Sequence, residues 1–81
     1  MSKTFPLQVL RIDETIFNGD AISVTAPGST GELTILAEHE TMLSSLQKGE
    51  LSIRTPDNKE QRIQIEHGFI EATNRRVVVL L

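Results

Sequence analysis

Residues 51–65 read LSIRTPDNKEQRIQI, and the fold is decided there. Leu51, Ile53 and Thr55 alternate with Ser52 and Arg54, a period of two that gives an extended chain one apolar side. Pro56-Asp57-Asn58-Lys59 then supplies turn chemistry, because Pro fixes φ while Asp and Asn bond back to their own backbone. Ile63 and Ile65 follow, and they are expected to answer Leu51 and Ile53 across a hairpin.

The same grammar extends upstream. Lys48-Gly49 predicts the turn that leads into Leu51. Pro27-Gly28-Ser29-Thr30-Gly31 predicts a loop, with Leu33, Ile35 and optionally Leu36 as the short strand after it. Ile22, Val24 and Ala26 alternate with Ser23 and Thr25, the pattern of a half-buried strand. Asn18-Gly19-Asp20 predicts a turn after Ile16 and Phe17. Phe5, Leu7 and Val9 share one parity, and Leu10 and Ile12 continue on the other, as a bulge within that strand would produce. Pro6 stands near its start, where an edge strand tolerates a missing N–H.

Downstream, Gly68 interrupts and Phe69-Ile70-Glu71-Ala72 predicts a short strand. Asn74-Arg75 is the last turn. The run Val77-Val78-Val79-Leu80-Leu81 predicts a strand buried on both faces, or one whose second face a partner covers. Between Glu38 and Leu46, Met42, Leu43 and Leu46 fit one helical turn or another strand, and both readings stay open. Eight to ten short strands with no amphipathic helix predict an all-β chain. We expect a flattened antiparallel β-sandwich of two sheets, one domain over 1–81.

Size and composition narrow the function. A domain of 81 residues buries roughly 60% of its unfolded surface. There is no cysteine, so neither a disulfide framework nor a thiolate zinc site is available, in keeping with a reducing cytoplasm. The N-terminus, Met1-Ser2-Lys3-Thr4-Phe5, has no apolar run of the signal-peptide kind. No stretch approaches the ~20 apolar residues of a membrane helix, so any membrane connection is expected to run through other proteins. Eight basic and eleven acidic residues give a net charge of −3, and Arg75-Arg76 is the one adjacent basic pair. With three Phe and no Trp or Tyr, little is present to hold phosphates or stack bases, and nucleic acid is not expected as a partner.

Glu38-His39-Glu40 is the first candidate for metal or acid–base chemistry. On an extended chain the two carboxylates share one face and His39 points to the other, which is poor geometry for one ion. Without cysteine, and with His67 as the second imidazole, ligands for zinc run short. The plain reading is a solvated acidic loop. The alternative is a small metal- or ligand-binding module using Glu38, Glu40 and a histidine. Ser44-Ser45 lacks the Gly-Xaa-Ser-Xaa-Gly elbow, and Gly28 and Gly31 lack the Gly-Lys-Ser/Thr of a phosphate loop. His67 and Arg75-Arg76 read as surface turns. No catalytic, cofactor or metal residue is expected, and a sugar- or peptide-binding module would lack an aromatic platform.

A resemblance joins these pieces. Residues 26–51, APGSTGELTILAEHETMLSSLQKGEL, closely resemble the signature of the epsilon subunit of F-type ATP synthases. That signature is a Pro/Gly loop, Gly-Glu-Leu, a short strand, a His, a Leu-rich turn and Lys-Xaa-Gly. The stretch Ile65-Glu66-His67-Gly68-Phe69-Ile70-Glu71-Ala72, with Val77-Val78-Val79-Leu80 after it, resembles the family's close, and Phe17-Asn18-Gly19 its aromatic-Xaa-Gly near the start. The likeness runs from about Phe5 to Leu81. Two departures stand out. Ala37-Glu38-His39-Glu40-Thr41 replaces the usual Pro-Xaa-His-Ala-Pro, and His67 replaces the first Gly of a pair.

The resemblance implies a β-sandwich that serves as a non-catalytic rotor piece, with the gamma subunit and the membrane c-ring as partners. It implies a peripheral place on the cytoplasmic face of a bacterial inner membrane or an equivalent energy-transducing membrane. Family positions matching Glu32 and His39 lie where the sandwich meets the ring's polar loops and the foot of the gamma shaft. Glu38 and Glu40 would add negative potential to that patch. Met42 and Leu43 are candidate apolar anchors, with ordinary core packing the competing reading for Leu43 and Leu46. Relatives commonly continue into a two-helix domain that carries ATP binding and inhibition; this chain ends at Leu81, so neither is expected of it.

Overall fold

A computed structural model describes residues 3–39 and 41–81. Its strands are β1 (Phe5–Arg11), β2 (Glu14–Ala21), β3 (Ser23–Gly28), β4 (Gly31–Leu36), β5 (Met42–Leu46), β6 (Gly49–Arg54), β7 (Glu60–Ile65), β8 (Gly68–Ala72) and β9 (Val77–Leu80). One hydrogen-bonded path, β2-β1-β9-β8-β5-β3-β6-β7, with β4 attached to β3, curls on itself. The β3–β5 step consists of a single pair, Gly28 with Leu46. At that thin joint the sheet divides into two layers, β2-β1-β9-β8-β5 and β4-β3-β6-β7. Neighbours are antiparallel except β1 and β9, which run parallel.

Alternation builds the core between the layers. Leu7, Val9, Ile70, Val77 and Val79 from the first layer meet Val24, Ile35, Leu51 and Ile53 from the second in one buried cluster. The β6–β7 hairpin forms as expected at its tip, where Asn58 takes the left-handed conformation (φ 65°) that Asn tolerates better than most residues. Its register is offset from expectation: Ile63 opposes Leu51, but Ile65 opposes Gly49 and Ile53 opposes Gln61. Antiparallel pairing about this tip matches the middle of β6 to the middle of β7, so the two isoleucines cannot both find apolar partners.

The structure corrects the expectation for the N-terminal hairpin. Asn18-Gly19-Asp20 is not a turn but lies within β2, paired with Gln8, Leu7 and Pro6. Gly19 lies beside the Phe17 ring, and its turn-like composition is overridden by pairing along β1. The chain reverses instead at Ile12-Asp13, between the paired Arg11 and Glu14, and Ile12 is 92% exposed. A bulge is present where parity changes, but Ile16 of β2 is the extra residue: Val9 pairs with Phe17 and Leu10 with Thr15. Strand β1 is interior. Pro6 precedes Leu7–Val77, the first β1–β9 pair, so its missing N–H interrupts none of them.

Elsewhere the Pro27–Gly31 loop shrinks to Ser29-Thr30, because Pro27 and Gly28 pair with Glu32 and Gly31. The open segment resolves as a strand, with Met42–Leu46 laid along β8. The valine run is buried on one face: Val77 and Val79 are fully buried, Val78 is half-buried and Leu80 is exposed.

Candidate functional site

Register places every outward side chain of the first layer. Leu10 of β1 is level with Leu80 of β9, and Leu80 with Phe69 of β8. The neighbouring outer row is Gln8, Val78, Glu71 and Leu43. Leu43, Phe69 and Leu80 are 71%, 57% and 51% exposed, while the alternating residues Ile70 and Val79 are fully buried. Three adjacent strands thus turn the apolar row Leu10–Leu80–Phe69 outward; Ser45 continues it on β5, and in the neighbouring row Glu71 separates Leu43 from Val78. Isolated exposed leucines are ordinary, but a contiguous row across adjacent strands marks a contact surface.

The second layer has the opposite character. Thr25 and Thr34 share a hydroxyl–hydroxyl bond of 3.1 Å, and Ser52 stands beside Thr25. Arg62 donates to Glu60 at 3.1 Å and lies 3.8 Å from Glu50. The Arg62 bond and charge hold the Glu60 carboxyl below its usual range, and the same pair raises the Arg62 guanidinium. At the hairpin tip the Thr55 hydroxyl bonds the Asp57 carboxylate and lowers its pKa. This outer face is a solvated, internally bonded surface, with Leu36 its exposed apolar exception.

The predicted contact residues do not form one cluster. Glu32 is exposed near the Ser29-Thr30 end of β4, paired with Pro27, whereas His39 lies beyond the other end. About four residues of strand, ~13 Å, separate Glu32 from Leu36. Glu38 adopts φ 64° and its carboxylate pairs with Lys3 at 2.7 Å. His39 Nδ1 is 2.9 Å from the Leu36 carbonyl oxygen and Nε2 is 2.6 Å from that of Thr73. The ring meets Phe5 edge-on, with centroids 5.5 Å apart. Met42 is half-buried against the core and Leu43 points out. The assignment of Glu40 falls outside the described residues.

Among the described residues these groups do not assemble a metal site. Glu38 is engaged by Lys3, both His39 nitrogens face carbonyls, and His67 lies in a different depression with Arg11, Gln64, Glu66 and Leu81. Among the described residues no group of three or more His, Cys, Asp or Glu is placed to hold an ion.

Leu43 and, through the reading of a partner-covered second face on the last strand, Leu80 are named from the sequence, whereas Phe69 and Leu10 are not singled out for the outer face. The signal was present, since Phe69 and Leu80 sit on the parity opposite to Ile70 and Val79. Only the pairing of β8, β9 and β1 reveals that they adjoin.

The sandwich thus has one outer face crossed by an apolar row and one that is solvated and internally bonded. Residues 4–81 match the family model described as ATP synthase, Delta/Epsilon chain, beta-sandwich domain, and the chain belongs to that family. It is 37% identical over 81 residues to the ATP synthase epsilon chain of Sulfurimonas denitrificans, spanning all of this chain and 62% of that one. To the epsilon chain of Dichelobacter nodosus it is 29% identical over 80 residues, covering 99% of this chain and 56% of the relative. The chain therefore spans somewhat more than half the length of these relatives.

Solved structures agree on the fold. A chain of the Euglena gracilis mitochondrial ATP synthase (OSCP/F1/c-ring, rotational state 1) superposes with a TM-score of 0.89 at 25% identity, over 95% of this chain and 49% of that one. A chain of the Tetrahymena thermophila mitochondrial ATP synthase central stalk and c-ring gives 0.80 at 16% identity, over 98% and 63%.

Proposed function

We propose that this domain is a non-catalytic docking element of the central stalk of a rotary ATP synthase, seated on the gamma subunit and turned toward the c-ring. Family membership, the epsilon-chain relatives and a similar chain in an F1/c-ring assembly support the rotor reading. The observation that carries the docking mode is the apolar row Leu10–Leu80–Phe69 on one outer face, against a bonded polar surface on the other.

In this reading the gamma shaft covers Leu10, Phe69, Val78, Leu80 and Leu43, because burial of apolar anchors supplies most affinity. Glu32 at one end of β4, and Glu38 and His39 beyond the other, are separate polar contacts toward the ring and the foot of the shaft. Carboxylates there accept charge-assisted hydrogen bonds from Lys or Arg, each worth ~0.2–1 kcal/mol at an exposed rim. Torque passes through such a domain as through a stiff wedge, and no reacting group is required. Its place is peripheral, on the cytoplasmic face of the energy-transducing membrane. Binding of the folded chain to isolated gamma tests the reading; gamma capture is expected, and a folded chain that ignores gamma removes it.

A further inference from the structure

His39 is placed where two ends of the sandwich meet. Leu36 closes β4 and Thr73 opens the turn between β8 and β9, so the ring spans from one layer to the other. Both its nitrogens face main-chain carbonyl oxygens, at 2.9 Å and 2.6 Å. A carbonyl oxygen only accepts. A neutral imidazole has one N–H and serves one of the two carbonyls, leaving a lone pair aimed at the other; an imidazolium donates to both.

We propose that His39 is a positioning residue: a two-ended clamp that ties the β4–β5 loop to the β8–β9 turn and tightens when the ring gains its second proton. The loop it secures carries Glu38 in the left-handed region at φ 64°, a conformation a non-glycine residue holds only when its surroundings fix it. The Phe5 ring, edge-on to the imidazole, walls off one side. Among the described residues, the charged groups sharing the depression are Lys3 and Glu38 from the flanking segments and Arg75 from the β8–β9 turn. Lys3 and Glu38 pair with each other at 2.7 Å, so their fields on the ring largely cancel. Arg75 repels a charged ring, and the two carbonyl dipoles attract it. The clamp is a property of the free domain and is independent of what the domain docks on.

Amide hydrogen exchange of the full chain, corrected for intrinsic rates and followed from pH 8 to pH 5, tests it. Amides of the β4–β5 loop and of residues 73–76 should gain protection as the ring charges, by about tenfold, the low end for a hydrogen bond to a charged group. That protection should be present at pH 5 and absent at pH 8. A long-range ¹H–¹⁵N spectrum of the ring should show both nitrogens bonded to hydrogen at the acid end. His39→Gln should abolish the pH dependence, and His67→Gln should leave it intact. Equal protection of these amides at pH 5 and pH 8 in the wild-type chain overturns the clamp, as does a pH dependence that survives His39→Gln.

Discussion

Phe69 stands directly opposite Leu80 in the β8–β9 ladder, and both side chains point away from the core. One residue on in β8 and one back in β9, Ile70 opposes Val79 and both are fully buried. The same ladder therefore serves two purposes, one on each face. Removing Ile70 should cost much more stability than removing Phe69. Ile70→Ala is expected to destabilise by ~2–5 kcal/mol through lost transfer free energy and a residual cavity. Phe69→Ala should cost no more than the ~0.2–1 kcal/mol of a cross-strand pair. Urea unfolding of both variants checks the difference; comparable losses would mean that Phe69 is a core residue.

Gly68 and Gly19 make a second contrast. A Cβ on Gly68 would lie 2.6 Å from the Leu80 carbonyl oxygen, which belongs to the neighbouring backbone and cannot swing aside. A Cβ on Gly19 would meet only the Phe17 ring at 3.7 Å, an ordinary contact. Gly68→Ala should therefore destabilise by ~1–3 kcal/mol, as overpacking does. Gly19→Ala should be neutral or mildly stabilising, because it restricts the unfolded chain. Thermal melts of the two variants decide it.

The β6–β7 tip gives a pH prediction. The Thr55 hydroxyl, the largest influence on Asp57, depresses its pKa below the ordinary 3.8. A depressed folded value means stability that is present above the unfolded carboxylate range and lost as pH falls through the folded pKa. Thr55→Val should move the Asp57 titration upward, followed by the carboxyl carbon shift in NMR. An unchanged titration would show that the hydroxyl is not the cause.

Much of the fold could be read from alternation, and the failures have physical reasons. The strand content, the β6–β7 tip and the β3 strand follow from period-two patterning and turn residues. Asn18-Gly19-Asp20 carries strong turn chemistry, yet tertiary pairing with Pro6, Leu7 and Gln8 keeps it extended. Ile12 is a poor turn residue, but it is the place where β1 must reverse. For the docking face, Leu43 is named as an anchor through the family resemblance, beside core packing as the competing reading, and the last strand is read as one whose second face a partner could cover. Leu10 is not named, because its place beside Leu80 depends on the parallel β1–β9 pairing, which joins residues far apart in sequence; Phe69 faces Leu80 through the local β8–β9 ladder.

The central claim is that the outward apolar row seats this domain on the gamma subunit. Calorimetric titration of gamma with the wild-type chain, with the double variant Phe69→Ser/Leu80→Ser, and with Thr25→Ala/Thr34→Ala from the polar face measures it directly. Binding should survive in the threonine variant. In the Phe69/Leu80 variant it should weaken by at least ~30-fold, as expected for loss of a ~2 kcal/mol hot spot. Equal affinity for all three chains, each shown to be folded, would contradict the account.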